Sequence, residues 1–140
     1  MAENLAIHFI TFDSRVYEED KVTLNVVEQL LQAIRKNRQV GCAALSLDQY
    51  GEEDFFTVDV ENGWAALAFN TWDELGETHM YLPVNTRQAE SEEEAPVYIG
   101  GQSPVCKRYA LDDLNLAAEC VLHFAKTGEL YPDLEWEESI

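Results

Sequence analysis

The sequence predicts an α+β fold, with a mainly antiparallel sheet of five or six strands and two amphipathic helices. Three observations point to this class: strand-like alternation recurs along the chain, helical periodicity occurs in two separate stretches, and the two kinds of element do not alternate strictly. The chain has 140 residues, of which 46% are hydrophobic and 11% aromatic, as is typical of a folded domain. We therefore expect a single domain over residues 1–140.

The N-terminal third is expected to contain a strand, a helix and a second strand. Residues 5–12 alternate as a strand does, and a polar connection follows them. Between Val22 and Ile34, apolar residues recur at helical spacing, and either Asp20 or Thr23 could cap this helix. Residues 40–47 are typical of a mostly buried strand.

The clearest local signal is a β-hairpin centred on Asn62-Gly63, because Asn-Gly is the preferred pair for a two-residue type I′ turn. With these two residues as the loop, Glu61 faces Trp64. This register places three apolar pairs on one side of the sheet: Val60–Ala65, Val58–Leu67 and Phe56–Phe69. Turn chemistry and hydrophobic alternation thus select the same register.

The C-terminal half is expected to add two strands and the second helix. Residues 78–82 form a strand that Pro83 stops, a polar loop occupies 85–94, and 95–99 form another strand. Asp112 is the expected N-cap of a helix that runs to about Thr127, with Gly128 at its C-terminal end. The short aromatic tail after this helix is not assigned to an element.

The charge balance excludes several classes of partner. The chain carries 27 acidic and 9 basic residues, a formal net charge of −18. Nucleic acid and anionic membrane surfaces would be repelled, so we expect neither as a direct partner. No secretory signal or membrane-spanning run is evident, and the three cysteines have no paired spacing, so we expect reduced thiols in the cytoplasm. A basic protein is the partner that this charge favours.

The sequence offers no catalytic, cofactor or metal site. Neither a G-x-G-x-x-G nor a Walker A motif occurs, and none of the cysteines lies in a catalytic signature. Cys120 and His123 lie three residues apart but have no matching second ligand pair. Since 27 acids will bring some carboxylates together by chance, paired carboxylates are not informative. We therefore predict no cofactor, no metal, no catalytic residue and no enzyme.

The acidic residues are concentrated in the middle of the chain. Between Gln39 and Cys106 there are thirteen acids and one base, Arg87, and two tryptophans lie among the acids. A solvated rim without a task is one interpretation. The other is a recognition face for a cationic protein, since acidic clusters with aromatic anchors steer and bind such partners. The predicted partner-binding residues are Asp59, Glu61, Trp64, Trp72, Asp73, Glu74 and Glu77.

The last third of the chain carries a pattern of short motifs. These are Tyr98-Ile-Gly-Gly, Ala110-Leu-Asp-Asp and the segment 121–137, in which six residues supply the pattern: Phe124, Thr127, Gly128, Pro132, Leu134 and Trp136. Over about residues 95–138 the sequence resembles bacterial immunity proteins of the Imm type, which are encoded beside polymorphic and contact-dependent toxins.

The resemblance implies a small cytoplasmic protein that binds a cognate toxin domain and blocks it. Related members are similar to proteins paired with nucleic-acid deaminases and nucleases, so the implied partner has a basic surface. The resemblance implies packing roles for Phe124 and Trp136, which would hold the tail against the second helix. An acidic interaction or adaptor module for another basic protein is the alternative, and the sequence predicts no oligomeric state.

Overall fold

The computed structural model describes residues 5–139 and has an α+β fold. Seven antiparallel strands form the main sheet, in the order β2-β1-β3-β4-β5-β6-β9, and β7 and β8 form a small separate sheet. The main sheet therefore exceeds the expected five or six strands. The strands are β1 (Phe9–Phe12), β2 (Arg15–Glu18), β3 (Val40–Ser46), β4 (Phe55–Glu61), β5 (Trp64–Trp72), β6 (Thr78–Pro83), β7 (Glu94–Ile99), β8 (Ser103–Cys106) and β9 (Trp136–Ser139).

Two helices, α1 (Leu24–Arg35) and α2 (Leu114–Thr127), contribute to the main core with one face of the large sheet. The amphipathic stripe of α1 is buried as its spacing predicts, and Thr23 is its N-cap, since its side chain accepts a hydrogen bond from the Val26 amide at 3.3 Å. This settles the choice between Asp20 and Thr23. Burial of the apolar stripe is the main source of stability for a helix of this length.

The β4–β5 hairpin has the register that the sequence predicts. Glu61 pairs with Trp64 and Phe56 with Phe69, so Asn62 and Gly63 form the two-residue loop. Both loop residues have positive φ, 55° and 81°, as a type I′ turn requires. The prediction is confirmed, and the hairpin lies at the centre of the sheet.

The N-cap of α2 differs from the expected residue by one position. Asp113, not Asp112, caps the helix, and its carboxylate accepts a hydrogen bond from the Leu116 amide at 3.1 Å. Asp112 instead accepts hydrogen bonds from Asn85 and Arg87. The local sequence allows either aspartate to cap the helix. Asp113 does so because Asn85 and Arg87 engage the carboxylate of Asp112. Gly128 ends the helix with a φ of 75°.

Three of the strands were not expected. They are β2, in the polar connection after β1, β8, which follows Gly100-Gly101, and β9, in the aromatic tail. Each has only four residues, and β2 and β9 form the two edges of the main sheet. The first strand is also shorter than expected, because it begins at Phe9 and not at residue 5. Short edge strands carry little periodic signal, so their neighbours determine them.

The β7–β8 sheet covers part of the opposite face of the main sheet. It forms a second apolar cluster whose buried members are Ala66, Ala68, Leu82, Ala95, Val97, Val105 and Ala110. The central part of the main sheet is therefore buried on both faces. Within residues 5–139, no helix has the length and hydrophobicity to cross a bilayer.

Phe56 contacts both Phe124 and Trp136, the two aromatic residues for which the C-terminal motif implies packing roles. Its ring stacks on Phe124 of α2 at 5.0 Å and meets Trp136 of β9 edge-on at 6.0 Å, between ring centroids. The Trp136 indole also donates a hydrogen bond to the Tyr131 carbonyl at 3.0 Å. The tail is thus attached to the sheet through Phe56 as well as through its own strand pairing.

Substituting Phe56→Ala is expected to lower the free energy of unfolding by about 3–5 kcal/mol, because it opens a cavity where α2, β4 and β9 meet. Urea denaturation followed by tryptophan fluorescence measures this loss. Val16→Ala is the control, since Val16 is 60% exposed on the edge strand, and its effect should stay within about 0.5 kcal/mol. Equal effects of the two substitutions would contradict this view of the core.

Candidate protein-binding surface

Two acidic connections lie side by side at one end of the main sheet. Ser46 at the end of β3 pairs with Phe55, Phe55 pairs with Asn70, and Asn70 pairs with Met80 on β6. The β3–β4 loop, residues 47–54, and the β5–β6 turn, residues 73–77, must therefore project from the same end. We call residues 47–54 and 72–77 the acidic end. Its acids are Asp48, Glu52, Glu53, Asp54, Asp73, Glu74 and Glu77, and it contains no lysine or arginine.

Hydrogen bonds give the β3–β4 loop a defined conformation. The Asp48 carboxylate accepts hydrogen bonds from the amides of Tyr50 and Glu52 at 3.1 and 3.0 Å. The Thr71 hydroxyl donates to Asp54, which ties this loop to β5. Gly51 has a φ of 70° and lies against the Phe9 ring, so a side chain at this position would be strained and would collide with that ring.

The β5–β6 turn is organised by Asp73. One carboxylate oxygen, Oδ1, accepts hydrogen bonds from the amides of Leu75 and Glu77 at 2.9 and 3.0 Å. The backbone adds two more bonds, from the Asp73 amide to the Glu77 carbonyl and from the Gly76 amide to the Asp73 carbonyl, each 3.0 Å. The turn thus projects Leu75 and Glu74 outward in one conformation.

Large apolar side chains are exposed among these acids. Leu75 is 85% exposed and Tyr50 is 62% exposed. Trp72 is half-buried, and its ring packs on Phe55 with 5.7 Å between centroids. The acidic end therefore combines negative charge with an aromatic side chain held in place and two apolar side chains open to solvent, which is the composition of a protein-binding surface.

His79 connects the turn to the C-terminal strand. Its Nε2 lies 2.9 Å from Asp73 Oδ2, and its Nδ1 lies 2.7 Å from Glu138 Oε2 on β9. These two hydrogen bonds, the one to Asp73 foremost, raise the pKa of His79 to about 9. The imidazole is therefore charged at neutral pH, and the same hydrogen bond is the largest cause of the lowered pKa of Asp73.

The structure divides the seven predicted partner-binding residues into three groups. Trp72, Asp73, Glu74 and Glu77 belong to the acidic end. Glu61 and Trp64 lie at the opposite end of the hairpin, about 26 Å along β5 from Trp72 at roughly 3.3 Å per residue. There the Lys107 ammonium group lies 5.7 Å from the centre of the Trp64 ring, so Trp64 lies beside a cation.

Asp59, in contrast, is buried and cannot contact a partner as the sequence led us to expect. Its side chain is 3% exposed under the turn between β7 and β8. A β-bulge at residues 41–42 of β3 lies opposite it, and its two oxygens accept hydrogen bonds from the amides of Cys42 and Gly100 at 2.8 and 2.7 Å. Burial raises the pKa of Asp59, and the backbone hydrogen bonds oppose that rise. Its role is to attach the small sheet.

Several residues at or beside the acidic end carry no signal that marks them in the sequence. Tyr50, Leu75, His79 and Glu138 were not predicted to contribute, nor was the 47–54 loop as a whole. The signal for the loop was present, because consecutive antiparallel strands place alternate connections at the same end. The small residues Ala66 and Ala68 likewise indicated a covered sheet face, on which Asp59 would be buried.

Outside the acidic end, the described residues offer a groove and a buried thiol as further candidate sites. A groove of about 720 Å³ lies between α1, the β1–β2 turn and the start of β3, and it is lined by both acidic and basic side chains. Among the described residues, no group of three or more His, Cys, Asp or Glu side chains is arranged to hold a metal ion. Burial raises the pKa of the Cys120 thiol to about 12, which makes it unreactive.

Comparison with known proteins assigns no family. No protein-family model matches the chain, and no curated protein matches it. The candidate surface therefore rests on its own residues, geometry and charge.

Asp59→Asn is expected to destabilise the fold by about 1–3 kcal/mol, because the carboxamide has one acceptor oxygen for two buried amides and turns its own NH₂ toward the other. Hydrogen exchange of the Gly100 amide should become faster. Urea unfolding measures the accompanying decrease in the free energy of unfolding. Glu61→Gln makes the same change at an exposed position of the same strand and face, and should stay within about 0.5 kcal/mol. Similar losses for both would show that Asp59 does not attach the small sheet.

Proposed function

We propose that the protein is an immunity protein that binds a cognate bacterial toxin domain through its acidic end and blocks it, without catalysis of its own. The toxin would be one that acts on nucleic acid, a deaminase or a nuclease. One observation carries the choice of surface: two acidic connections converge at one end of the sheet around exposed Leu75 and Tyr50. The resemblance of residues 95–138 to Imm-type immunity proteins supports the role.

The charge of the acidic end favours this class of partner. An enzyme that acts on nucleic acid needs a cationic cleft to hold phosphates. Carboxylates projecting from two neighbouring loops would occupy such a cleft as phosphates do, and the oppositely charged fields would speed the encounter. The exposed apolar side chains would then displace water from the cleft and lengthen the complex's lifetime.

An acidic adaptor for another basic protein is the alternative function, and the same surface would serve it. The two functions differ in their consequences for the cell. Co-expression with the product of the adjacent gene tests the first: an immunity protein should co-purify with that toxin domain and restore growth to cells that produce it. Binding to a basic protein without any rescue of growth would favour the adaptor, and a lack of both would contradict the proposal.

Charge reversal should locate the binding surface. The triple variant Glu52→Lys, Glu74→Lys, Glu77→Lys is expected to lower the association rate with the toxin domain by about tenfold or more at low salt, and to flatten its dependence on salt. Stopped-flow fluorescence at several salt concentrations measures both quantities.

A second triple variant provides the matched control. Glu28→Lys, Glu90→Lys and Glu92→Lys change the net charge by the same amount at exposed positions outside the acidic end. We expect this control to slow association less than about threefold, because screening limits the effect of distant charges. Equal slowing by the two variants would mean that the acidic end is not the interface.

A further inference from the structure

The position of His79 shows how the exposed turn is held. The imidazole lies between carboxylates of two elements: Asp73 belongs to the turn and Glu138 to β9, the edge strand. A charged imidazole donates from both ring nitrogens, whereas a neutral one donates from only one. Only the charged form can therefore hydrogen-bond to both carboxylates, so a cation at this position links the turn to the end of the chain.

Asp73 passes this constraint to the apex of the turn. Its Oδ2 contacts His79, while its Oδ1 accepts the amides of Leu75 and Glu77. Because one rigid carboxylate makes all three contacts, the orientation that His79 imposes on Asp73 also fixes the backbone that carries Leu75. A contact residue held in this way loses little conformational entropy when it binds.

We propose that His79 is a positioning residue for partner binding, which holds the 73–77 turn against β9 so that Leu75 enters an apolar pocket bordered by lysine or arginine on the partner. This inference rests on the proposed function and specifies the kind of surface that the acidic end fits. The basic border is required because Asp73, Glu74 and Glu77 flank Leu75 in the turn, and residues 73–77 include no lysine or arginine.

The charges that act on His79 come from Asp73 and Glu138 and define a pH window for this arrangement. The pKa of His79 in the folded chain, about 9, lies above its ordinary value of 6.5. The stabilising contribution of the imidazolium is therefore complete below pH 6.5 and is lost as the pH rises through about 9. The lowered pKa of Asp73 has the opposite consequence, a contribution present above pH 3.8 and lost at more acidic pH.

Three histidine variants test the inference with the full chain and the toxin domain encoded by the adjacent gene. His79→Gln removes the cation, His79→Lys restores one, and His8→Gln is the control, since His8 forms an exposed pair with Glu19 outside the acidic end. At pH 7 we expect His79→Gln to weaken binding about tenfold and His79→Lys less than about threefold, because the charge-assisted contacts fix the turn. His8→Gln should bind as the unmodified protein does.

The pH profile separates positioning from a general loss of stability. Binding by the unmodified protein should weaken between pH 8 and 9.5, while the His79→Lys variant should bind evenly over that range because lysine titrates near pH 10.4 or above. Without any partner, His79→Gln should raise hydrogen exchange of the Leu75 and Glu77 amides about tenfold. Leu75→Ala should leave exchange of the Glu77 amide unchanged and still weaken binding.

The two proposals fail in different ways. If the unmodified protein does not bind the toxin domain, the proposed function is wrong, and hydrogen exchange still decides whether His79 holds the turn. If the unmodified protein binds and His79→Gln binds equally well with the same pH profile, the role of His79 is overturned and the proposed function stands. The role of His79 in binding would also be overturned if the His79→Gln variant showed faster hydrogen exchange of the Leu75 and Glu77 amides but bound the toxin domain as tightly as the unmodified protein.

Discussion

The register of the β4–β5 hairpin is the constraint on which the rest of this structure depends. The Asn62-Gly63 loop allows one pairing of the two strands, and that pairing sends Phe56 to the helix side and Asp59 to the opposite side. A shift by one residue would exchange the faces, placing a carboxylate in the main core and the Phe56 ring under the small sheet. This register therefore determines the packing of both helices, the C-terminal tail and the β7–β8 sheet.

The same register determines where the acids gather. It aligns the start of β4 with the end of β5, so the loop before one strand and the turn after the other become neighbours. Placing seven acids together is unfavourable by Coulomb repulsion. The repulsion is offset locally, since Asp48 and Asp73 accept backbone amide hydrogen bonds and His79 supplies a positive charge. Glu74 has no such partner among the described residues and faces solvent.

The sequence was sufficient wherever neighbouring residues determine the structure. The type I′ loop, the amphipathic stripe of α1 and the glycine after α2 are local features with strong preferences, and all three are confirmed. The sequence was insufficient where distant residues decide. Asp112 and Asp113 are equivalent as caps until Arg87 and Asn85 engage the first, and β9 is a strand because β6 offers it an edge.

In the candidate site, too, the local sequence identifies some residues correctly, whereas distant contacts decide the position of others. Trp72, Asp73, Glu74 and Glu77 are consecutive or nearly so, and their density marked them in the sequence. Asp59, in contrast, lies between Val58 and Val60 on β4, and a sheet formed by residues 94–106 covers it. A local pattern cannot tell a solvated carboxylate from one that accepts two buried amides, because the difference lies in the layer packed above it.

Exposed apolar side chains on a turn would ordinarily favour self-association. Here each copy carries a charge of −18, and Leu75 stands among carboxylates that repel the same turn on a second copy. Because of this repulsion, exposed Leu75 favours a surface of opposite charge over a second copy of the chain. A basic surface without an apolar pocket would attract the turn but gain little from Leu75, whereas an apolar surface without cations would leave the surrounding carboxylates desolvated and unpaired. For the proposed partner, selectivity would therefore arise from the requirement that both features coincide at one turn.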